Sequence, residues 1–377
     1  MSDVIVKPVN DKSGRMDFLN VPFTVFRDDA NWVAPLFLER LDHINPKKNP
    51  YFEHAEAQLF VAYRDGKPVG RISAQDDSLR LEIHKDNAGL FGFLDAPDDA
   101  EIFAVLLNAA AQWLKARGRS KMLGPFNFSI NDEMGMLIDG FDTPPNMMMA
   151  HSRAHYSKQV EALGMTKAKD VLAYHYEFNE PPALVGRLQK RALASKDFSV
   201  RPLNMRDMKS EIRLIMSIFN DAWSNNWGFV PFTESELNKL GNDLKLLVNG
   251  NYAAIAFYKG EPAAVVISLP NLNDWIAGMN GRLLPFNWAK LVARVLRKKP
   301  RSLRMPLMGV IKKFHDTPVG ATLATLIVEA MRSYHASRGG KTGELSWILE
   351  ENYPVRKMIE SFGGRAYKTY RIYEKAI

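Results

Sequence analysis

Apolar and polar positions follow two periods along this chain, and the order of the periods repeats. A period of two runs through "LFVAYRDGKPVGRISA" from Leu59 and "AAIAFYKGEPAAVVIS" from Ala253. Each stretch has apolar arms around a tight-turn pair, Asp65-Gly66 or Lys259-Gly260, which predicts two antiparallel hairpins. A helical period runs through "AEIFAVLLNAAAQWLKARG" from Ala100 and "ATLATLIVEAMRSYHASRGG" from Ala321. Around these, each half reads as a short strand, an apolar-periodic helix, the hairpin, a strand, a helix, a strand, a helix and a closing strand. Strands mixed with helices, with a hairpin in each half, predict an α/β protein of two mixed sheets flanked by helices.

The two halves match segment by segment. "VIVKPVNDKSGRM" at Val4 resembles "FSVRPLNMRDM" at Phe198, and "FRDDANWVAPLF" at Phe26 resembles "FNDAWSNNWGFVPF" at Phe219. Pro8 answers Pro202, Trp32 answers Trp227 and Gly66 answers Gly260, always at an offset of 194 or 195 residues. "YSKQVEALGMTKAKDVLAYHYE" at Tyr156 matches "VRKMIESFGGRAYKTYRIYE" at Val355. A constant offset over several segments indicates duplication. The expected domains are residues 1–180 and 198–377, joined by a linker over 181–197 that opens with Pro181-Pro182.

Composition restricts the chemistry. The 377 residues are 46% hydrophobic and 24% charged, ordinary for a folded protein of about two domains. With no cysteine, thiol nucleophiles, thiolate metal sites and disulfides are excluded. The start of the chain has no basic segment followed by an apolar one, and no apolar run reaches the roughly 18–20 residues of a membrane span, so a cytoplasmic protein without a signal peptide is expected. The formal charge of +8 points to anionic partners. That charge is concentrated: between Trp275 and His315 there are ten lysines and arginines and no acidic residue. Within it, "GRLLPFNWAKLVARVLRKKPRSLR" from Gly281 places Leu284, Trp288, Leu291, Val292 and Val295 at helical spacing, with Lys290, Arg294, Arg297 and Lys298 off that stripe. A basic amphipathic helix of this kind predicts either peripheral contact with an anionic membrane or a helix packed on its own domain with a solvated basic face. No aromatic-interleaved basic surface or reader module predicts nucleic-acid binding, and no Walker loop, GxSxG or HExxH is present.

"LMGVIKKFHDTPVGATL" and "GELSWILEENYPVRKMIESFGGRAYKTYRIYEK" carry a family resemblance. The second resembles the closing strand–helix–strand of the GNAT-fold N-acyltransferases, with Asn352 near the strand end and Gly363-Gly364 before the last strand. The first falls where that fold places its acyl-CoA loop, Arg/Gln-x-x-Gly-x-Gly/Ala. "NWVAPLF", "GPFNFSINDE", "NNWGFVPF" and "YKTYRIYEK" resemble a double-domain group that includes bacterial ceramide synthases. The resemblance covers nearly the whole chain. It implies an N-acyltransferase of two tandem GNAT-like domains that uses acyl-CoA as co-substrate, with no further cofactor and no metal. It implies a long-chain acyl group and a sphingoid-type lipid amine as acceptor. Aminoacyl transfer by paired GNAT-like domains, and a non-catalytic acyl- or lipid-binding protein, stand as alternatives.

The resemblance also places site residues. Met308, Gly309 and Val310 lie on the strand before the loop, where Gly309 or Val310 would supply an N–H that polarises the thioester. Lys312, Lys313, Thr317, Val319, Gly320, Ala321 and Thr322 would surround the pyrophosphate at a helix N-terminus, where free N–H groups and the helix dipole favour an anion. His315 takes the Arg/Gln position, and Pro318 replaces the pattern's first glycine, which removes one donor. Thr317 as a cap with Pro318 at the first helical position would also be an ordinary helix start. The matching segment of the first half carries Asp95, Asp98, Asp99 and Glu101, so phosphate binding is expected in the second half only. The family's tyrosine acid on the last helix is answered by Ile359, with Tyr353 nearby. His315, His151, His155 and Glu350 are candidate bases, beside Asn352. In "GPFNFSINDEMG" an extended chain would put Asn127, Ser129, Asn131 and Glu133 on one face, which makes Asn131 and Glu133 candidates for the acceptor side.

Overall fold

A computed structural model describes residues 3–244, 247–297 and 300–377. In the first half β1 (Ile5–Pro8), α1 (Lys12–Val25) and α2 (Phe37–His43) precede the hairpin of β2 (Ala55–Arg64) and β3 (Lys67–Asp77). Then come α3 (Ser78–His84), β4 (Ala88–Asp95), α4 (Ala100–Lys115), β5 (Lys121–Gly124), β6 (Met136–Asp139), α5 (His155–Ala162) and β7 (Thr166–Glu177). In the second half α6 (Ala183–Ala194), β8 (Phe198–Pro202), α7 (Met208–Trp223) and α8 (Glu234–Leu244) lead to the hairpin of β9 (Ala253–Tyr258) and β10 (Glu261–Pro270). There follow α9 (Leu272–Ile276), α10 (Asn287–Arg297), β11 (Ser302–Val310), α11 (Pro318–Ala336), β12 (Thr342–Leu349), α12 (Tyr353–Ser361) and β13 (Arg365–Ala376). Both hairpins turn where the residue pairs required: Asp65 and Gly66 have φ of 52° and 72°, and Lys259 and Gly260 have 51° and 82°.

The chain forms two compact units, and these are not contiguous in sequence. One comprises Met1–Val171, Ile276–Asn287 and Lys368–Ile377; the other comprises Leu172–Trp275 and Trp288–Tyr367. The boundaries therefore differ from the 1–180 and 198–377 read from the duplication. Part of each half's closing strand belongs to the other unit: 172–177 of β7 lie in the second and 368–376 of β13 lie in the first. The expected linker contains a helix, α6.

In the first unit the strand order is β1-β2-β3-β4-β5-β13, with β6 also on β13. Tyr373 sits opposite Gly124 and Ala376 opposite Lys121 in the antiparallel β5–β13 ladder. Alternation along β2 separates two cores: Phe60 and Ala62 pack with Ile102, Phe103 and Leu106 of α4, while Leu59 and Val61 pack with Phe18, Leu19 and Val21 of α1. The second unit repeats the plan, with β8, β9, β10, β11 and β12 side by side and then β7. Ala254, Ala256, Ala264 and Val266 face Leu323, Ile327 and Met331 of α11, and Ile255 and Val265 face Ile215 and Ile218 of α7. Each unit is a mixed sheet flanked by helices. Among the described residues, no helix is long and apolar enough to cross a membrane.

Candidate active site

The parallel pairing of β11 with β12 is brief. Ser302–Met305 pair with Thr342–Leu345, and beyond that level both strands continue without pairing to each other. On its other side β11 stays bonded to β10, with Leu307 opposite Ile267 and Gly309 opposite Val265. Ile311 N–H donates to the Ala263 carbonyl at 2.9 Å. In an antiparallel ladder, bonded pairs alternate with pairs whose backbone groups point away from the partner. Ile311 being bonded, Gly309 and Leu307 are bonded too, and Met308 and Val310 turn their N–H and C=O groups toward the free edge. Both carbonyls there are taken: Met308 accepts from Trp223 Nε1 at 2.9 Å, and Val310 from His315 Nε2 at 2.7 Å. The N–H groups of Met308 and Val310 are left facing the opening between the strands. Of the two residues expected to polarise a carbonyl, the alternation favours Val310 over Gly309. Gly309 has another reason to be glycine, since a Cβ there would lie 3.0 Å from the Ala222 Cβ of α7.

The loop after β11 is fastened to the end of α7. Lys312 N–H donates to Asp221 Oδ2 at 2.6 Å, and its Nζ donates to Ser224 Oγ at 2.8 Å and Asn225 Oδ1 at 2.9 Å. Lys313 pairs with Glu261 at 2.7 Å on the surface. At the start of α11, Thr317 Oγ1 accepts the Gly320 N–H at 3.1 Å and donates to the Phe314 carbonyl at 2.8 Å. Ala321 N–H donates to the Thr317 carbonyl at 3.1 Å, and Thr322 Oγ1 donates to the Pro318 carbonyl at 2.8 Å. Thr317 is therefore the cap, Pro318 is at the first helical position, and most of the amides expected to face a phosphate hold protein partners. Gly320 is further constrained, because a Cβ on it would fall 2.0 Å from the Phe314 carbonyl oxygen.

The other candidates lie elsewhere in their units. Asn352 caps α12, its side chain accepting from Val355 N–H at 3.4 Å. The Glu350 carbonyl accepts from Arg356 Nη1 at 2.6 Å. Tyr353 is exposed at the first position of α12, with the Arg356 guanidinium 5.5 Å from its ring centroid. Ile359 is buried in the core that contains Leu323 and Ile327. His151 is bonded through Nε2 to Asp29 Oδ2 at 2.9 Å, and burial holds its pKa below the ordinary value against the pull of that carboxylate. His155 Nε2 lies 3.2 Å from the Ala96 carbonyl.

The segment from Gly124 departs from the extended strand expected of it. It is not one strand: after β5 the chain bends, and Phe126 bridges to Met134 across a loop. Asn127 and Glu133 still meet, through a 2.7 Å bond from Asn127 Nδ2 to Glu133 Oε2 and a 2.8 Å bond from Asn127 N–H to the Glu133 carbonyl, rather than by strand parity. Arg40 closes an ion pair on Glu133. Burial pushes the Glu133 carboxyl up, but the Arg40 charge and hydrogen bond, with His43 and Asn127, bring it below its ordinary value. Burial likewise holds His43 beside it below the ordinary histidine range. Asn131 receives a cap from Ser129, whose Oγ accepts its N–H at 3.0 Å.

A buried polar cluster at the last paired rungs of β11 and β12 escaped the sequence reading. Arg304, 0% exposed, donates from Nε to Ser346 Oγ at 3.0 Å and lies 3.8 Å from Glu344 Oε1. Ser346 donates to Glu344 Oε1 at 2.6 Å, Tyr367 donates to Glu344 Oε2, and the Arg304 guanidinium lies 4.2 Å from the Trp347 ring centroid. The one signal was a glutamate alternating inside the apolar strand "GELSWIL". Among the described residues, no cluster of histidine, aspartate and glutamate is placed to hold a metal ion.

No family model matches the chain. A bacterial ceramide synthase of Caulobacter vibrioides (strain NA1000 / CB15N) is 44% identical over 378 residues, spanning 100% of this chain and 98% of that protein. Protein YghO of Escherichia coli (strain K12) is 41% identical over 376 residues, spanning 99% and 95%. Among solved structures, a tandem GNAT protein from the clavulanic acid biosynthesis pathway covers 99% of this chain and 98% of its own, with a TM-score of 0.59 at 10% identity. A GCN5-related N-acetyltransferase from Sphaerobacter thermophilus covers 99% and 95%, with a TM-score of 0.52 at 10% identity. The two mixed units with a splayed strand pair are thus a tandem GNAT fold, and by identity over its whole length the chain belongs to the family of the Caulobacter vibrioides bacterial ceramide synthase.

Proposed function

We propose that the protein is an acyl-CoA-dependent N-acyltransferase that joins a long acyl chain to the amine of a sphingoid-type lipid. The family membership supports acyl transfer to an amine, and the name of the Caulobacter vibrioides relative supports the lipid acceptor. The observation that carries the reading is the open edge of β11, which presents two N–H groups just ahead of the α11 N-terminus. Pantetheine is a chain of amides, and an extended amide chain adds readily to a free strand edge. With the donor laid along that edge, its thioester oxygen accepts from the Val310 or Met308 N–H, which stabilises the charge that develops during attack. Its pyrophosphate lies at the start of α11, where an oxygen replaces Thr317 Oγ1 on the Gly320 N–H and also takes the Val319 N–H.

The amine forms the C–N bond, the C–S bond breaks, and CoA leaves as a thiolate that takes up a proton. Among the candidate bases, His315 is supported by its Nε2 contact with the Val310 carbonyl at 2.7 Å. Donating Nε2–H to the Val310 carbonyl leaves its Nδ1 lone pair as acceptor, suited to receive the ammonium proton. The test is the formation of the amide product, detected by mass spectrometry, from a long-chain acyl-CoA and a sphingoid amine. His315→Gln is expected to lower kcat while CoA still binds. A folded protein that binds no CoA would overturn the reading. The burial of Ile359 where the family has a tyrosine favours a second reading, an acyl-binding protein without catalysis, and CoA binding with no amide formed would support that one.

A further inference from the structure

The cationic segment before β11 contains a helix whose apolar side chains turn outward. No residue of α10 is buried. Trp288 is 52% exposed and Leu296 71%, with Val292 between them at helical spacing and also exposed. Ala289 and Ala293 are exposed alongside, whereas Leu291, Arg294 and Val295 are half-buried. Scattered single apolar residues on a surface are unremarkable, but three large ones at i, i+4 and i+8 form a stripe along one helix face.

Charge decides which partner this stripe fits. Lys290 and Arg297 are exposed on the same helix, Arg301 is exposed just after it and Arg282 earlier in the chain, and no acidic residue occurs anywhere between Trp275 and His315. The other cations of that stretch are engaged: Arg294 donates to the Trp275 carbonyl, Arg304 is buried beside Glu344, and Lys312 and Lys313 hold the loop after β11. Lys298 and Lys299 lie outside the described residues. A second copy of this chain would bring a second set of the same cations against the first. An anionic bilayer instead offers hydrocarbon to the apolar side chains and phosphate charge to their rim.

We propose that residues 288–297 dock on the surface of an anionic phospholipid bilayer. Trp288, Val292 and Leu296 enter the headgroup–acyl boundary, while Lys290 and Arg297 meet lipid phosphates. The inference rests on exposure and charge and does not depend on the donor or acceptor proposed above.

Flotation of the full-length protein with vesicles tests it, comparing phosphatidylcholine alone with phosphatidylcholine mixed with phosphatidylglycerol. Binding is expected only to the mixed vesicles, weakening as salt rises. Lys290→Gln with Arg297→Gln should weaken partitioning by roughly thirtyfold at low salt, the factor for two cations lost from an anionic surface. Val292→Glu with Leu296→Glu should abolish binding while thermal unfolding, and turnover of a short water-soluble amine, are retained. Because all four positions are exposed, these variants should fold. No binding to either vesicle, equal binding to both, or unchanged binding by the glutamate variant would each overturn the proposal. So would light scattering that shows a dimer which dissociates on Leu296→Glu, since a second copy would then cover the stripe.

Discussion

Removing the Thr317 hydroxyl tests the proposed anion site directly, because this hydroxyl holds a donor that a pyrophosphate would need. Its Oγ1 accepts the Gly320 N–H at 3.1 Å. Replacing a threonine cap by alanine costs about 1 kcal/mol in a typical helix. That cost falls on the free protein. In the complex a phosphate oxygen holds the Gly320 N–H, so the substitution costs the bound state less. The difference must appear as affinity, and about 1 kcal/mol corresponds to roughly fivefold in Kd. Thr317→Ala is therefore expected to lower the unfolding free energy by about 1 kcal/mol in denaturant titrations and, at the same time, to tighten CoA binding up to about fivefold by calorimetry. An unchanged Kd would mean that the cap persists in the complex. A Kd weakened by roughly tenfold would mean that the hydroxyl itself contacts the ligand. Either result refutes displacement at Gly320.

Calorimetry should also give one CoA per chain, bound by the second half; a stoichiometry of two would show that the first half accepts the donor as well. Glu344→Gln removes the carboxylate facing a guanidinium that is 0% exposed, and a loss of roughly 3 kcal/mol or more is expected in chemical denaturation; a loss below about 1 kcal/mol would show the pair to be dispensable. Burial, helped by the nearby Arg338 charge, lowers the His335 pKa from 6.5 to about 4. The unfolded chain then takes up its proton first, so stability that is full above pH 6.5 should fall by about 3 kcal/mol as the pH drops to about 4. His335→Gln should flatten that part of the stability–pH curve, and an identical curve in the variant would assign the loss to other groups.

What the sequence made legible was local. The duplication showed because the same turn and helix chemistry recurs at one offset, and the hairpins because Asp65-Gly66 and Lys259-Gly260 suit positive φ. Thr317 before Pro318 read correctly as a possible cap and first helical residue, since both preferences act within one turn. What stayed hidden depends on partners distant in the chain. β7 and β13 carry the same pattern, and nothing local says which sheet each will complete. Asn127 to Glu133 alternates like a strand, yet hydrogen bonds across a loop and the Arg40 ion pair fold it back. Arg304 sits in a run of cations and reads as one more surface charge until Glu344 is placed beside it. Gly320 reads as a phosphate-loop glycine, although the Phe314 carbonyl alone is enough to require it.

The two halves treat the same structural feature in opposite ways, and this gives the strongest physical reason to place the donor in the second. In the first, β4 pairs with β5 only over Ala88–Leu90 and Lys121–Leu123, so an edge opens there too. Its own chain covers that edge. Phe126 N–H donates to the Phe91 carbonyl at 2.7 Å, Asn127 Oδ1 accepts the Phe93 N–H at 2.7 Å, and Gly92 leaves so little room that a Cβ would stand 1.7 Å from the Phe126 oxygen. The start of α4 is closed as well: Asp99 caps it while bonded to Arg64 at 2.7 Å, and a carboxylate there repels an incoming phosphate. In the second half the edge of β11 stays open and the cap is a neutral threonine, which can yield its donor at modest cost. An open strand edge invites unwanted pairing and is normally blunted. One that is kept open beside a yielding cap, in a chain that has closed its other copy, fits a site that an extended amide ligand fills.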